Sequence, residues 1–242
     1  MFNKKIEYIT KKNVTIFKIQ NFLDKDLYNN VANEFPQKET DNLNNNFGKS
    51  SIIFDNKNNQ KYSNNIKIFL DIINSTEFFN FFTKKFFFQI AFQQNFLRKI
   101  KYLRIPKPNH KNSIFDIFFS KLSVSGEFSS IGNLGGIYPH VDGNRKYLSL
   151  MIYFPQKDYN DIEYGTTFWD SNIENHSNNH IKDIGELQNF KKNSKILYKT
   201  PFEKNVLYGF IRNDISWHSV EPIEIEEDYI RKSININFLI EN

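Results

Sequence analysis

The chain contains no cysteine. That excludes disulfides, zinc–thiolate and iron–sulfur sites and a cysteine nucleophile, and it fits a reducing compartment. Alanine is scarce while Asn, Lys, Ile and Phe abound. We read this as nucleotide bias in the parent genome, so composition is a poor guide to partners. There is no long basic block. The lysines stand in ones and twos among Asp and Glu, so the net charge of +5 reads as a solvated surface rather than a nucleic-acid face. No apolar run approaches the ~20 residues of a membrane span. The most apolar stretch, residues 78–92, is interrupted by Lys84 and Lys85. The opening MFNKKIEYITKKN is charged early and lacks the apolar core of a signal peptide. A cytoplasmic location, no membrane span and no nucleic-acid partner are therefore expected.

What the chain does hold is core material. Of 242 residues, 39% are hydrophobic and 26 are Phe, enough for a sizeable interior. Residues 14–24, VTIFKIQNFLD, read as a strand running into a loop. A helix should follow, capped by Asp24, with Leu27, Val31 and Phe35 on one face and Pro36 ending it. Residues 37–65 are polar and Asn-rich and predict a long loop. A helical block is expected over about 65–100, with Asn74 as a cap and Glu77 three residues on. From residue 114 the pattern changes to short runs rich in Ile, Phe, Tyr and Val, several alternating with period two. Residues 171–195 are polar and predict an insertion or lid loop. The whole predicts a mainly β chain with some α: an antiparallel sandwich or jelly-roll barrel with helices packed outside. No clean linker appears, so residues 1–242 are expected to form one domain, with a helical part over 1–113 and the jelly roll over 114–240.

Chemistry concentrates around YPHVDG, residues 138–143. Alternate residues of a strand share a face, so His140 and Asp142 can point together into a barrel as two ligands for a divalent metal. They could equally be an ordinary hydrogen-bonded pair. His110, His176 and His180 lie in polar connectors and read as solvated. His218, in ISWHSVEPI, sits among hydrophobic residues. Two His and one Asp make the facial triad of non-haem Fe(II). In YIRKSININF, residues 229–238, Ile230, Ile234, Ile236 and Phe238 alternate with Arg231, Ser233, Asn235 and Asn237. A polar inward face is costly unless it binds something, and Arg231 with Ser233 suits a carboxylate. Pairing of Arg231 with Glu227 or Asp228 at the surface is the alternative.

His140-x-Asp142, a distant His218 and then Arg231-x-Ser233 resemble the Fe(II)/2-oxoglutarate-dependent dioxygenases, in their prolyl-hydroxylase-like branch. YGTTFWD and PFEKNVLYGFIRNDISWHSVEPI resemble further segments of that family, and the likeness runs in order over most of residues 14–240. The resemblance implies a double-stranded β-helix, with iron on His140, Asp142 and His218. It implies that Arg231 and Ser233 hold the far carboxylate of 2-oxoglutarate, with Tyr153 touching it. Dioxygen would be the second cosubstrate, and ascorbate is also allowed. Because Asp142 is retained, the resemblance favours oxygen insertion over halogenation. The expected outcome is hydroxylation of an unactivated C–H with release of succinate and CO2. A small metabolite, a sugar or a peptidyl side chain would each serve as substrate. Trp169 is either core packing or a wall of the substrate pocket, and Asn144, Arg145 and Lys146 are either a solvated turn or contacts to an anionic substrate. The competing reading is a non-catalytic, cupin-like module that uses its cavity only to hold a ligand.

Overall fold

The computed structural model describes residues 4–10, 14–36, 49–54, 61–87, 89, 122–156, 162–171, 173, 181, 183–222 and 229–240. His110, His176, His180, Glu227 and Asp228 lie outside them. Eleven strands and four helices are described: β1 (Glu7–Thr10), β2 (Ile16–Ile19), α1 (Lys25–Asn33), β3 (Lys49–Ile53), α2 (Asn64–Ile73), α3 (Thr76–Lys85), β4 (Leu122–Ile131), β5 (Ile137–His140), β6 (Lys146–Phe154), β7 (Thr167–Asp170), α4 (Ile184–Asn193), β8 (Lys195–Lys199), β9 (Leu207–Ile211), β10 (His218–Val220) and β11 (Arg231–Ile240). They build two antiparallel sheets. The larger has the order β1-β2-β9-β6-β11-β4-β3 and the smaller β5-β10-β7-β8. This is the expected mainly β architecture, a double-stranded β-helix with helices outside.

The period-two pattern of β11 decides which side of the large sheet does what. Ile234, Ile236 and Phe238 are fully buried and face the helices. There they meet Phe69 of α2 and Phe78 and Phe82 of α3 in one cluster with Leu148, Leu150 and Ile152 of β6. Ring pairs set the packing: Phe78 lies 5.9 Å from Phe238 and Phe17 lies 4.5 Å from Phe86. Burying each such side chain contributes about 1.5–3 kcal/mol. On the other side, between the sheets, a second cluster gathers Ile16, Met151, Tyr153, Phe168, Tyr208 and Phe210. The polar half of β11 also faces that side.

The N-terminal helix is tied down at its start. The Asp24 side chain accepts from Asp26 N and Leu27 N, the expected cap. Asn205, in the turn before β9 with a φ of 55°, donates to Leu23 O and accepts from Leu23 N, both at 2.8 Å. Tyr28 then donates to Tyr153 O at 2.9 Å and stacks on Phe154. The clamp therefore reaches the strand that carries Tyr153.

Three expectations are corrected. Asn74 does not open a helix: it closes α2, and Ser75 caps α3 by accepting from Phe78 N at 3.1 Å. Ser75 does the capping because the chain turns between two helices there, a break the continuous apolar run conceals. The Asn-rich stretch at 37–65 contains β3, which pairs with β4 from Lys49↔Ile131 to Ile53↔Glu127. A free sheet edge recruits a weakly patterned segment that has no strand signal of its own. The polar stretch at 171–195 contains α4, capped by Asp183 and anchored by one buried residue, Phe190. The long sheet and the helical layer make one prediction. Phe238→Ala should destabilise the fold by about 3–5 kcal/mol, read as a lower urea midpoint at unchanged slope.

Candidate metal centre and its cavity

β5 and β10 pair antiparallel with His218 opposite His140, so one register step sets both imidazoles side by side, ring centres 4.2 Å apart. Asp142 follows β5 by two residues. Nitrogen and oxygen atoms of His140, Asp142 and His218 all lie within 4.8 Å of one another. Asp142 is 5% exposed and His218 8%. The Nδ1 of His140 is 2.9 Å from Tyr138 O, and the Nδ1 of His218 is 3.0 Å from Ser216 O. A backbone carbonyl accepts only from N–H, so each Nδ1 carries a proton and Nε2 is the ring nitrogen that donates to a metal once the ring is neutral. Phe210 lies 4.7 Å from the His218 ring and Phe168 6.1 Å, so aromatic surface screens that ligand.

Both oxygens of Asp142 are engaged. Lys146 Nζ donates to Oδ1 at 2.6 Å and Ser149 Oγ to Oδ2 at 2.7 Å. Burial alone would push this carboxyl up. His218, Lys146 and His140 more than offset that and hold it well below the usual carboxylate range. The segment carrying it is fastened by Arg212, 7% exposed, whose Nε donates to Asp142 O at 3.0 Å. The remaining guanidinium nitrogens of Arg212 reach Asp214 and Asn144, each at 2.7 Å. Such contacts cross 68 and 70 positions of sequence and leave no local signature.

The cluster opens into a cavity of about 360 Å³ that is also lined by Arg231, Ser233, Thr166 and Met151. Arg231 is 5% exposed. Its Nε donates to Tyr164 O at 2.5 Å and its Nη1 lies 3.4 Å from Ser233 Oγ. Tyr153 and Phe202 flank it, 5.2 and 5.3 Å from the guanidinium carbon. No carboxylate bonds to it among the described residues. Burial works against its charge, yet an arginine stays protonated, so the cavity holds a cation awaiting an anion. The Tyr153 hydroxyl sits 2.8 Å from both Thr166 Oγ1 and Thr200 Oγ1. These threonines back the wall beside Arg231.

The sequence-derived candidates divide. His140, Asp142, His218, Arg231 and Ser233 line one cavity, and Tyr153 stands behind Arg231. Trp169 does not join them. Its neighbour Phe168 faces His218, so alternation sends Trp169 outward, against Phe190 of α4, with Nε1 donating to Ser219 at 2.9 Å. Asn144 and Arg145 form an exposed turn outside the cavity, while Lys146 beside them lines it. Sequence reasoning missed Arg212, Thr166, Thr200 and a second ion pair on the cavity floor. In that pair Lys49 Nζ lies 2.7 Å from Glu127 Oε1, which also accepts from Asn235 at 3.0 Å.

No protein-family model and no curated protein sequence matches the chain. Solved structures do. A prolyl-4-hydroxylase from Pseudomonas putida superposes with a TM-score of 0.52 at 10% identity, covering 95% of this chain and 94% of that one. A Trichoplax adhaerens prolyl hydroxylase, solved with a hypoxia inducible factor oxygen degradation domain peptide fragment, gives 0.49 at 10% identity over 93% and 83%. HygX from Streptomyces hygroscopicus, solved with nickel, 2-oxoglutarate and hygromycin B, gives 0.45 at 9% identity over 93% and 82%. The chain shares the fold of the first of these along nearly its full length.

Two predictions follow from this geometry. A Cβ on Gly165 would lie 1.6 Å from Thr200 O, so Gly165→Ala must push apart the segment that holds Tyr164 O and the threonine pair. It should cost about 1–3 kcal/mol or more in urea unfolding. Burial pushes the Glu127 carboxyl up, but Lys49, Asn235 and Ser51 outweigh burial and hold it below the usual range. A depressed folded-state value stabilises the fold above the ordinary Glu pKa of about 4.3, and the gain is lost as pH falls through the lowered value. Glu127→Gln should therefore be less stable at pH 7, by up to about 1 kcal/mol for a partly exposed pair. The difference should shrink in melts taken below about pH 4.

Proposed function

We propose that this protein is an Fe(II)- and 2-oxoglutarate-dependent dioxygenase that hydroxylates a C–H of a small metabolite, sugar or peptidyl side chain. The observation that carries the proposal is one conjunction: the His140, Asp142 and His218 cluster shares a cavity with a buried guanidinium that bonds no carboxylate among the described residues. The donor set fits the metal. Two imidazoles that can each turn Nε2 to a metal, with one ionised carboxylate, suit Fe(II) and leave further coordination positions open. The cavity fits the cosubstrate, because Arg231 and Ser233 offer a fork and a hydroxyl to its far carboxylate. When bound, iron and 2-oxoglutarate would supply oxidative decarboxylation to succinate and CO2, coupled to oxygen insertion.

The chain's own residues do the positioning. Tyr138 and Ser216 carbonyls hold the imidazole tautomers, and Ser149 orients the Asp142 carboxylate. Arg212 fixes the Asp142 backbone. Tyr164, Tyr153 and Phe202 seat Arg231 where a carboxylate can meet it. Phe168 and Phe210 screen one side of the centre from water.

An anaerobic optical titration tests this. Fe(II) and then 2-oxoglutarate, added to the apo-protein, should raise the weak visible charge-transfer band of a chelated 2-oxo acid. His218→Ala should lose the band. Arg231→Ala should require about 10–100-fold more 2-oxoglutarate, the loss expected for a hydrogen-bonded charge pair. Well-folded protein without the band would sink the proposal and leave a cupin-like ligand-binding module.

A further inference from the structure

The cavity does not end at the metal-ligand cluster. It runs along the inward face of β11 and β4 to the edge strand β3, past Lys49, Ser125, Glu127, Ser129, Asn235 and Asn237. Register builds this floor: Ser129 pairs with Ser233 and with Ser51, Glu127 with Asn235, and Ser125 with Asn237. Three adjacent strands thus turn hydroxyls, amides and an ion pair toward one space. Such a face is costly unless water or a ligand satisfies it. Ser129 marks the point most sharply, for it is 1% exposed, lines the cavity, and its Oγ has no hydrogen-bond partner. A ligand atom that bonds it would remove that penalty.

The charges narrow what can bind. Among the described residues, the non-histidine charges lining the cavity are Lys49, Glu127, Asp142, Lys146 and Arg231. Lys146 pairs with Asp142 and Lys49 with Glu127. Arg231 is left for the cosubstrate carboxylate. The floor beyond it carries no net charge. A singly charged ligand would meet one partner of the wrong sign. An apolar ring laid on the ion pair and amides would strip their water, and the aliphatic side chains that β3, β4 and β11 offer it among the described lining residues are Ile53 and Leu239. Apart from the two histidines, Phe210 is the sole ring among the described lining residues, and it stands beside His218, away from β3 and β4. The volume, about 360 Å³, is near the lower end of the roughly 300–1,000 Å³ of small-molecule pockets. It must also hold the cosubstrate.

We infer that the floor made by β3, β4 and β11 is the substrate subsite, and that it takes a small, net-neutral molecule rich in hydrogen-bonding groups. A free amino-acid zwitterion and a polyol such as a sugar share that chemistry; a prolyl peptide does not. This rests on the function proposed above. Glu127, Asn235 and the orphaned Ser129 would bond the ligand's hydroxyl or ammonium groups, and Lys49 its oxygen atoms.

The test uses the full chain with Fe(II). The anaerobic charge-transfer band is recorded first, so that failure of the cosubstrate site is seen by itself. Succinate release is then measured with a pool of free amino acids, a pool of mono- and disaccharides, and a synthetic proline-rich peptide. One hydrophilic pool should raise the rate by about tenfold or more over the rate without substrate, and which pool does so identifies the source. For the active compound, Glu127→Gln and Lys49→Met should each raise KM about tenfold or more while kcat moves less than about threefold. Circular dichroism and urea melts check that both variants fold. Stimulation by the peptide alone, or by no pool in protein that shows the band, overturns the inference. So does an unchanged KM in both variants. Absence of the band removes the proposed function, and this inference with it.

Discussion

Everything in this molecule depends on the alternation of side chains along β11. The strand is paired over its whole length with β4 and over most of it with β6, so its register is fixed from both sides. With that register fixed, Ile234, Ile236 and Phe238 must face the helices, and Arg231, Ser233, Asn235 and Asn237 must face the cavity. A slip of one residue would exchange the two sets. It would bury an arginine and two asparagines under phenylalanines and empty the cavity of every polar group that this strand supplies. The hydrophobic layer and the chemical site are therefore two faces of one constraint. The apolar face drives the helices onto the sheet, and in doing so holds the polar face where it is expensive to keep.

That expense is distributed unevenly. Toward β9 and β6 the space between the sheets is filled by Met151, Tyr153, Tyr208, Phe210 and Phe168, an apolar interior of ordinary kind. Toward β4 and β3 it is polar. The ion pairs there each match one cation to one anion, and their hydrogen bonds to Asn235 and Ser149 satisfy further acceptors. Arg231 breaks the pattern, since among the described residues its hydrogen bonds go to a carbonyl and a hydroxyl and none to a carboxylate. A buried cation held in this way is poorly compensated in the free protein. It gains from an incoming carboxylate what a surface arginine would already obtain from water.

The parts of this arrangement legible in the sequence were those with a local period or a local spacing. His140 and Asp142 are two apart at a strand end, and Arg231 and Ser233 are two apart in an alternating strand. Spacing of two is a direct statement about direction. Asp24 was legible as a cap for the same reason, because its bond spans two or three residues. What failed was set by distant partners. β3 exists because β4 offers it an edge, and Lys49 meets Glu127 across 78 positions. α4 is held by Phe190 against Trp169 and Trp217, a contact that its polar sequence conceals. Trp169 stays open between core and pocket wall in the sequence, because an aromatic beside a motif segment carries no sign of which face it takes. Only the pairing of Phe168 opposite His218 settles that.

The likeness to the Pseudomonas putida prolyl-4-hydroxylase at 10% identity bears on how such a fold can be kept. A shared path of the chain over nearly its full length needs only that strands alternate, that helices present an apolar face and that turns fall where the sheet allows. Those demands are met by many residue sets, so the fold tolerates nearly complete replacement of its sequence. The geometry of the triad asks more of its neighbours: a β5–β10 register and two backbone carbonyls place the imidazoles, but Arg212, Ser149 and Lys146 hold Asp142. The floor on β3 and β4 is different. Neither the sheet nor the metal ligands require a lysine at 49, a glutamate at 127 or an unsatisfied serine at 129, and each carries a desolvation cost that an apolar residue would avoid. Residues that neither the sheet nor the triad calls for are the positions at which the lining of the cavity can change while the β11 register and the triad stay in place.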